Sequence, residues 1–105
     1  MGRYFIGIDL GTSSVRAFLI DFETGISTAA QETYETLIPQ SGYAEQDPEI
    51  WYQKTCECIR RAIQTAGVDP KEIEAVSFSG QMHGLVALNE EHKPVMNAVV
   101  WLDQR

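Results

Sequence analysis

The stretch Phe5-Ile6-Gly7-Ile8-Asp9-Leu10-Gly11-Thr12-Ser13-Ser14-Val15-Arg16 decides how this chain folds and how the rest of it is interpreted. An apolar run ends at a carboxylate, and a Gly and three hydroxyl residues lead into a second apolar run that contains an Arg. Two short apolar runs joined by a Gly-Thr-Ser turn predict a β-hairpin. In the simplest interpretation, Asp9 only stabilises the turn.

A second interpretation of the same stretch is a site for nucleotide phosphates. Turn N–H groups and hydroxyls can hold phosphate oxygens, a carboxylate can hold Mg²⁺, and an Arg can neutralise transferred charge. Because residues 4–8 form an apolar run typical of a buried strand, we expect the Asp9 charge to be buried and to require a cation or hydrogen-bond donors. The stretch contains neither a Walker Gly-Lys-Ser/Thr nor the pattern G-x-G-x-x-G.

Hydrophobic patterning beyond this stretch predicts a mixed α/β domain. The first three strands are joined by connections too short for crossovers, which predicts an antiparallel meander. A strand reached through a helix is expected to run parallel to the first strand. This is the mixed sheet and packed helix of ribonuclease H-like domains. The predicted strands are residues 3–9, 15–21, 26–35, 73–79 and 85–88, with a further apolar segment at 95–102.

A helix is predicted after the loop at residues 39–46. Asp47 is a suitable N-cap, Pro48 a suitable first helical residue, and Gly67 a suitable stop. Apolar residues then recur at helical spacing and predict one buried face. These residues are Tyr52, Cys56, Ile59, Ile63 and Ala66.

Length and charge limit the classes of function. The 105 residues suffice for one domain with a real core, and the net charge is −7 with only eight basic residues. This balance argues against nucleic acid or an anionic membrane as the main partner. No apolar run approaches the roughly 20 residues of a bilayer span, and Ile6 stands where an N-myristoylation signal starting at Met1-Gly2 requires Ser or Thr. We therefore expect a cytoplasmic protein.

The two cysteines are not expected to form a functional site. Cys56 and Cys58 are two positions apart on the predicted helix and point to different faces, which disfavours a disulfide or a shared metal ion. We interpret both as residues that only occupy space in the core or at the surface, without a chemical role.

The loop Gly80-Gln81-Met82-His83-Gly84 is a candidate ligand site between two predicted strands. Its bounding glycines permit unusual backbone angles, and the ring nitrogens of His83 can hydrogen-bond a hydroxylated ligand. The alternative is a tight turn with a solvated histidine. His92, in the acidic turn that begins at Asn89, is assigned no role.

The segment Trp101-Leu102-Asp103-Gln104-Arg105 has residue types suited to a sugar. An aromatic ring can contact the C–H face of a sugar, and charged groups can bind its hydroxyls. On a strand, Trp101, Asp103 and Arg105 would share one side. The alternative is a core Trp followed by a fraying charged end.

Four motifs, in the order in which they follow one another along the chain, resemble those of the amino-terminal domain of the FGGY family of carbohydrate kinases. This family belongs to the actin and hexokinase superfamily. Residues 9–16 resemble the family's first phosphate motif, and residues 42–51 its G-[WY]-x-E-Q-D-P-x-x-W segment. Residues 80–84 resemble the xylulokinase form of its sugar-binding loop, and residues 101–105 its W-x-D-x-R ending. The resemblance covers essentially the whole chain.

The resemblance implies an ATP- and Mg²⁺-dependent transfer of phosphate to a ketopentose, with D-xylulose favoured and D-xylulose 5-phosphate as product. Asp9 would be the catalytic and Mg²⁺-organising residue. The residues facing the nucleotide would be Gly11, Thr12, Ser13 and Arg16. The residues contacting or shaping the sugar site would be Gln81, Met82, His83, Trp101, Asp103 and Arg105.

The resemblance also implies a division of the enzyme. Residues 1–105 would be part of the first kinase domain, while the base and the carboxy-terminal ATP-binding domain would lie beyond Arg105. We therefore expect residues 1–105 alone to be inactive, and a homodimer is possible for the full-length enzyme.

Other functions remain open at the level of sequence. Within the family, ribulose, fuculose, gluconate and glycerol are alternative acceptors. A non-catalytic sugar- or nucleotide-binding module is a further alternative. A ribonuclease H-like nuclease would need more carboxylates near Asp9, and a chaperone-type ATPase would not account for Met82 and His83.

Overall fold

A computed structural model describes residues 3–105, apart from the side chain of Ser27. Met1 and Gly2, considered above as a lipidation signal, lie outside this range. Two sheets, one long helix and a short 3₁₀ helix at Pro70–Glu72 make up the regular structure of these residues. The strands are β1 (Tyr4–Leu10), β2 (Ser14–Asp21), β3 (Gly25–Thr33), β4 (Glu45–Gln46), β5 (Ile73–Gly80) and β6 (Ala98–Val99), and the helix is α1 (Pro48–Ala66).

The main sheet has the strand order β3-β2-β1-β5, and β1 to β3 form the predicted antiparallel meander. The turn between β2 and β3 is stabilised by Asp21, whose Oδ1 accepts a hydrogen bond from the Glu23 N–H at 2.8 Å. Gly25 begins β3 with φ 95°, which favours glycine. Strand β5 runs parallel to β1, as predicted, because α1 carries the chain back across the sheet.

The core lies between α1 and one face of the sheet. Alternate residues of β1 and β2 point towards the helix and are buried. Helix α1 packs mainly on β2 and β3 and leaves β5 uncovered, so the apolar Phe78 remains 71% exposed. The buried cluster consists of Ile6, Ile8, Val15, Ala17, Leu19, Ala30, Cys58 and Ala62.

Helix α1 has the predicted ends but a different buried face. The Asp47 side chain accepts from the Glu49 N–H at 2.9 Å, and Gly67 ends the helix with φ 68°. Tyr52, predicted on the buried face, is 70% exposed. The face is instead centred on Cys58 and Ala62, one turn apart, which places Tyr52 at its margin. Within residues 3–105, no helix combines the length and apolar character needed to cross a bilayer.

Predicted strands after β5 are largely replaced by irregular segments and isolated bridges. Residues 85–88 form no strand, because Leu85 and Leu88 pair only through single bridges with Val99 and Pro94. Of residues 95–102, only β6 is a strand, and it pairs with the short β4 rather than with the main sheet. Runs with so few partners cannot build an extended ladder.

Candidate active site

The turn after β1 and the loop after β5 leave the sheet side by side. Leu10 and Gly80 are register partners at the carboxyl ends of these parallel strands. The Gln81 N–H donates to the Leu10 carbonyl at 2.8 Å. A Cβ at position 80 would lie 3.1 Å from that same oxygen, so the close approach favours glycine. In open α/β sheets, ligands bind at the carboxyl ends of the strands, which makes this edge the candidate active site.

Asp9 lies on the face of β1 that α1 does not cover. Its Cα partners across the sheet are Arg16 on β2 and Ser79 on β5. The Asp9 residue is exposed, so the expectation of a buried charge is wrong. The error arises because only alternate residues of β1 face the helix. Asp9 contributes to an open depression of about 380 Å³, whose other lining residues are Gly7, Ile8, Phe18, Ser77, Phe78 and Ser79.

The turn at residues 11–13 is tightly closed on one side. The Gly11 N–H donates to the Ser14 carbonyl at 2.8 Å, and a Cβ at Gly11 would lie 3.2 Å from that oxygen. Within residues 3–105, the N–H groups of Thr12 and Ser13 donate to no protein acceptor. These two N–H groups and the neighbouring hydroxyls are therefore the donors that the turn can offer to an anion.

Tyr34, directly after β3, supports this turn, a role that the sequence did not reveal. Its hydroxyl contacts the Gly11 carbonyl and lies 2.9 Å from the Ser14 carbonyl, and its N–H donates to the Ser13 carbonyl at 3.1 Å. Burial, with a contribution from the Asp9 charge, raises the pKa of Tyr34 to about 12. The pairing of Ser14 with Thr33 in the hairpin register was the signal that could have located Tyr34 beside the turn.

Arg16 is an exposed cation next to the depression. Its Nε donates to the Gln31 side-chain oxygen at 3.1 Å, which orients the guanidinium along the sheet surface. Because Arg16 is the register partner of Asp9, the two side chains lie on the same face of the sheet. The structure thus brings together a carboxylate, a cation and a turn with donors.

In the loop at residues 80–84, two side chains are exposed and one turns inward. Met82 is 70% exposed and His83 is also exposed. His83 has φ 63°, so the unusual backbone angle of this loop lies at the histidine and not at the glycines that bound it. The Gln81 Nε2 donates to the Gln46 Oε1 at 3.1 Å and to the Gly11 carbonyl at 3.3 Å.

The chain does not form a strand after Trp101, contrary to the prediction. The Asp103 N–H donates to the Val100 carbonyl at 3.0 Å, which closes a turn, so the three alternating residues do not share one strand face. Trp101 contacts the turn at residues 11–13, where its indole Nε1 donates to the Thr12 hydroxyl at 3.1 Å. The indole is 52% exposed, which leaves ring surface for a ligand.

Asp103 and Arg105 form an ion pair that binds the segment at residues 43–45, shortly before α1. The Arg105 guanidinium binds both carboxylate oxygens of Asp103 and reaches Glu45 at 2.7 Å. The Asp103 Oδ2 also accepts from the Ala44 N–H at 2.7 Å, and Arg105 lies 3.8 Å from the Tyr43 ring centroid. Hydrogen bonds from Arg105 hold the pKa of Asp103 well below its usual range, and the same carboxylate raises the pKa of Arg105.

The oxygen atoms at the depression fit a hard cation such as Mg²⁺ that takes most of its ligands from water and substrate phosphates. The residues that the structure describes contain no group of three or more His, Cys, Asp or Glu side chains arranged to hold a metal. Asp9, Ser77 and Ser79 place a single carboxylate and two hydroxyls around the depression. Mg²⁺ typically takes one or two carboxylates and completes its octahedron with water and substrate phosphates.

The sequence matches a known protein family over almost its whole length. Residues 4–105 match the model of the FGGY family of carbohydrate kinases, N-terminal domain. This chain belongs to that family. As an FGGY domain it has the predicted actin- and hexokinase-like α/β fold, which solved FGGY kinases share.

The relatives of this FGGY domain are named as kinases of different substrates. It is 39% identical over 103 residues to the xylulose kinase of Bacillus subtilis, covering 98% of this chain and 21% of that protein. It is 35% identical to the glycerol kinase of Rhizobium meliloti, covering 100% of this chain and 21% of that protein. The solved ligand-bound xylulose kinase of Lactobacillus acidophilus is 31% identical, with a TM-score of 0.86 over 95% of this chain and 20% of that chain. The domain thus spans about a fifth of the length of these relatives.

Proposed function

We propose that this FGGY domain is the sugar-binding and phosphate-facing wall of an ATP-dependent kinase that converts D-xylulose to D-xylulose 5-phosphate. The observation that carries the proposal is that the turn after β1 and the loop after β5 lie side by side. A turn whose Thr12 and Ser13 N–H groups have no acceptor within residues 3–105 lies, with the exposed Asp9, beside a loop that exposes an imidazole. A kinase needs this juxtaposition, because the transferred phosphate must lie in line with the acceptor hydroxyl.

On the phosphate side, each residue has a proposed task. The N–H groups of Thr12 and Ser13 donate to phosphate oxygens, because no protein acceptor within residues 3–105 uses them. Gly11 allows the close turn that presents these groups. Arg16, on the same face as Asp9, offsets negative charge that develops during transfer.

Asp9 is the residue proposed to hold Mg²⁺, together with the nucleotide phosphates and water. Bound ATP and Mg²⁺ would supply the transferable phosphoryl group and neutralise its charge. The exposure of Asp9 supports this task, since a cation-binding carboxylate must be accessible from the ligand side. Ser77 and Ser79 add hydroxyls at the same depression.

On the sugar side, Met82, His83 and Trp101 are proposed to contact the acceptor. All three are exposed, and the imidazole can either donate to or accept from a hydroxyl. Asp103 and Arg105 shape the pocket indirectly, because their polar groups bind each other and Glu45 of β4. The Gln-Met-His-Gly loop and the xylulose kinase relative favour D-xylulose, while the glycerol kinase relative keeps glycerol as an alternative acceptor.

A panel of acceptors tests the proposal in a kinase polypeptide that carries this domain. ATP consumption is measured with D-xylulose, ribulose, fuculose, gluconate and glycerol, and the product is identified by mass. We expect the highest kcat/KM with D-xylulose. A higher kcat/KM with any other acceptor would contradict the substrate assignment, and no turnover with any of them would contradict the kinase assignment.

Two variants separate the proposed roles. Asp9→Asn should lower kcat by about 100-fold or more with a small change in KM for the sugar, because the charge acts on the transferred group. His83→Ala should raise KM for the sugar with a smaller effect on kcat. Glu74→Gln, at an exposed position of β5, is the matched control for loss of a carboxylate. Identical kinetic profiles for Asp9→Asn and His83→Ala would contradict separate roles.

A further inference from the structure

Gln46 is a fully buried polar residue of β4. Its side chain lies between the turn at residues 11–13 (the phosphate turn) and the loop at residues 80–84 (the sugar loop). It is 1% exposed. Its Nε2 donates to the Thr12 carbonyl at 2.6 Å and to the Thr36 hydroxyl at 2.8 Å. Its Oε1 accepts from the Trp51 indole N–H at 2.8 Å and from the Gln81 Nε2 at 3.1 Å. All four hydrogen-bonding positions of one amide are therefore used.

We propose that Gln46 is a positioning residue that holds the phosphate turn and the sugar loop in a fixed relation for phosphoryl transfer. The inference rests on the proposed kinase function and deepens it. Gln46 itself touches neither ligand, because it is buried. It acts through Thr12 in the phosphate turn and Gln81 at the start of the sugar loop.

The chemistry of its partners requires an amide at this position. The Trp51 indole N–H can only donate, so the atom facing it must be an acceptor. The Thr12 carbonyl can only accept, so the atom facing it must be a donor. An ionised carboxylate of the same shape would satisfy Trp51 but would place two acceptors against each other at Thr12.

Gln81 extends the same network to the sugar loop. Its backbone N–H donates to the Leu10 carbonyl and its Nε2 donates to the Gly11 carbonyl. A displacement of Gln81 would therefore move the sugar loop relative to the phosphate turn. Its Oε1 is buried and has no hydrogen-bond partner within residues 3–105. Because its Nε2 donates to both Gln46 and Gly11, we assign Gln81 to positioning with Gln46 rather than to direct contact with the sugar.

This assignment also accounts for the segment at residues 42–51, which carries no reacting group. Gln46 and Trp51 both belong to it, and they join α1 to the phosphate turn. Asp47, between them, caps the helix and fixes where α1 begins. The segment is thus a support for the turn that follows β1.

The test is the pH dependence of Gln46→Glu in a kinase polypeptide that carries this domain, assayed with ATP and D-xylulose. At pH 8 the introduced carboxylate repels the Thr12 carbonyl, and we expect kcat to fall by about 10- to 100-fold. As the pH is lowered to 5.5, protonation restores a donor, and the deficit relative to wild type should shrink several-fold. Gln46→Met, which cannot be protonated, should show a deficit that does not shrink.

The controls separate positioning from stability. Gln40→Glu makes the same chemical change in an exposed loop and should have wild-type kinetics. All rates are referred to the folded fraction measured by circular dichroism at each pH, so a purely structural role would leave kcat per folded molecule unchanged. If Gln46→Glu does not fold, Gln81→Glu is measured in the same way, because it also places a carboxylate against a carbonyl, that of Gly11.

Two results would overturn the inference while leaving the kinase function intact. One is an active wild type with an equally active, folded Gln46→Glu variant at pH 8. The other is a deficit of Gln46→Glu that stays constant between pH 8 and 5.5. A wild type that phosphorylates no acceptor would instead overturn the proposed function, and the inference with it.

Discussion

The indole N–H of Trp101 donates to the hydroxyl of Thr12 at 3.1 Å, across a sequence separation of 89 residues. One residue belongs to the segment proposed to contact the sugar and the other to the turn proposed to contact phosphate. The hydrogen bond still leaves half of the indole exposed. A ligand that packs on the indole would therefore lie within one side chain of the phosphate turn.

Residues 1–105 alone should show no ATP-dependent phosphorylation of D-xylulose. They form one wall of the proposed site, and in-line transfer with exclusion of water usually needs a second lobe that closes over it. The measurement is a coupled ADP assay with a blank that lacks the sugar. A rate clearly above the blank, and lost on Asp9→Asn, would contradict the prediction.

Tyr34→Phe should destabilise the domain by about 1 kcal/mol, because the hydroxyl that contacts the Gly11 and Ser14 carbonyls is lost. Urea unfolding followed by fluorescence measures the change. Tyr52→Phe, at a position that is 70% exposed, is the matched control and should change stability by less than about 0.5 kcal/mol. Equal effects of the two variants would show that the Tyr34 hydroxyl does not support the turn.

Acid should weaken the domain through Asp103. Hydrogen bonds from Arg105 lower the pKa of Asp103 in the folded state, so its stabilisation is complete above the unfolded value of about 3.9 and is lost as the pH falls towards the folded value. Asp103→Asn should therefore be less stable than wild type at pH 7 and should lose less stability between pH 4 and 2. Thermal melts across this range measure both slopes, and parallel curves would contradict the assignment.

Asp47→Ala should lower the stability of the domain by about 1 kcal/mol, because the helix loses the side-chain acceptor for the Glu49 N–H. For a domain of this size, that corresponds to a fall in Tm of roughly 4–8 °C. Asp47→Ser keeps a capping oxygen and should retain most of the stability. A melt of Asp47→Ser as low as that of Asp47→Ala would indicate that Asp47 acts through its charge instead.

The fold of residues 4–80 could largely be predicted from local sequence signals. Alternating apolar residues located β1 and β2, and Asp47, Pro48 and Gly67 marked the ends of α1. The parallel direction of β5 followed from the intervening helix. Residues 85–102 could not be predicted in this way, because their strands depend on partners distant in sequence, such as Glu45 for Val99.

The candidate site was only partly visible in the sequence. Asp9, Thr12 and His83 stood out by residue type and position in a turn or loop. Tyr34 and Gln46 did not, because they act on backbone carbonyls that only the folded chain brings near them. The exposure of Asp9 was missed for a related reason, since an apolar run does not show which face a helix will cover.

The shared register of β1 and β5 has a mechanical consequence. Because Leu10 and Gly80 end their strands together and Gln81 bonds across the gap, the two halves of the proposed site belong to one stiff unit. If nucleotide and sugar approach each other during a catalytic cycle, the movement must then come from the part of the kinase that packs opposite this sheet edge. The edge itself would stay fixed.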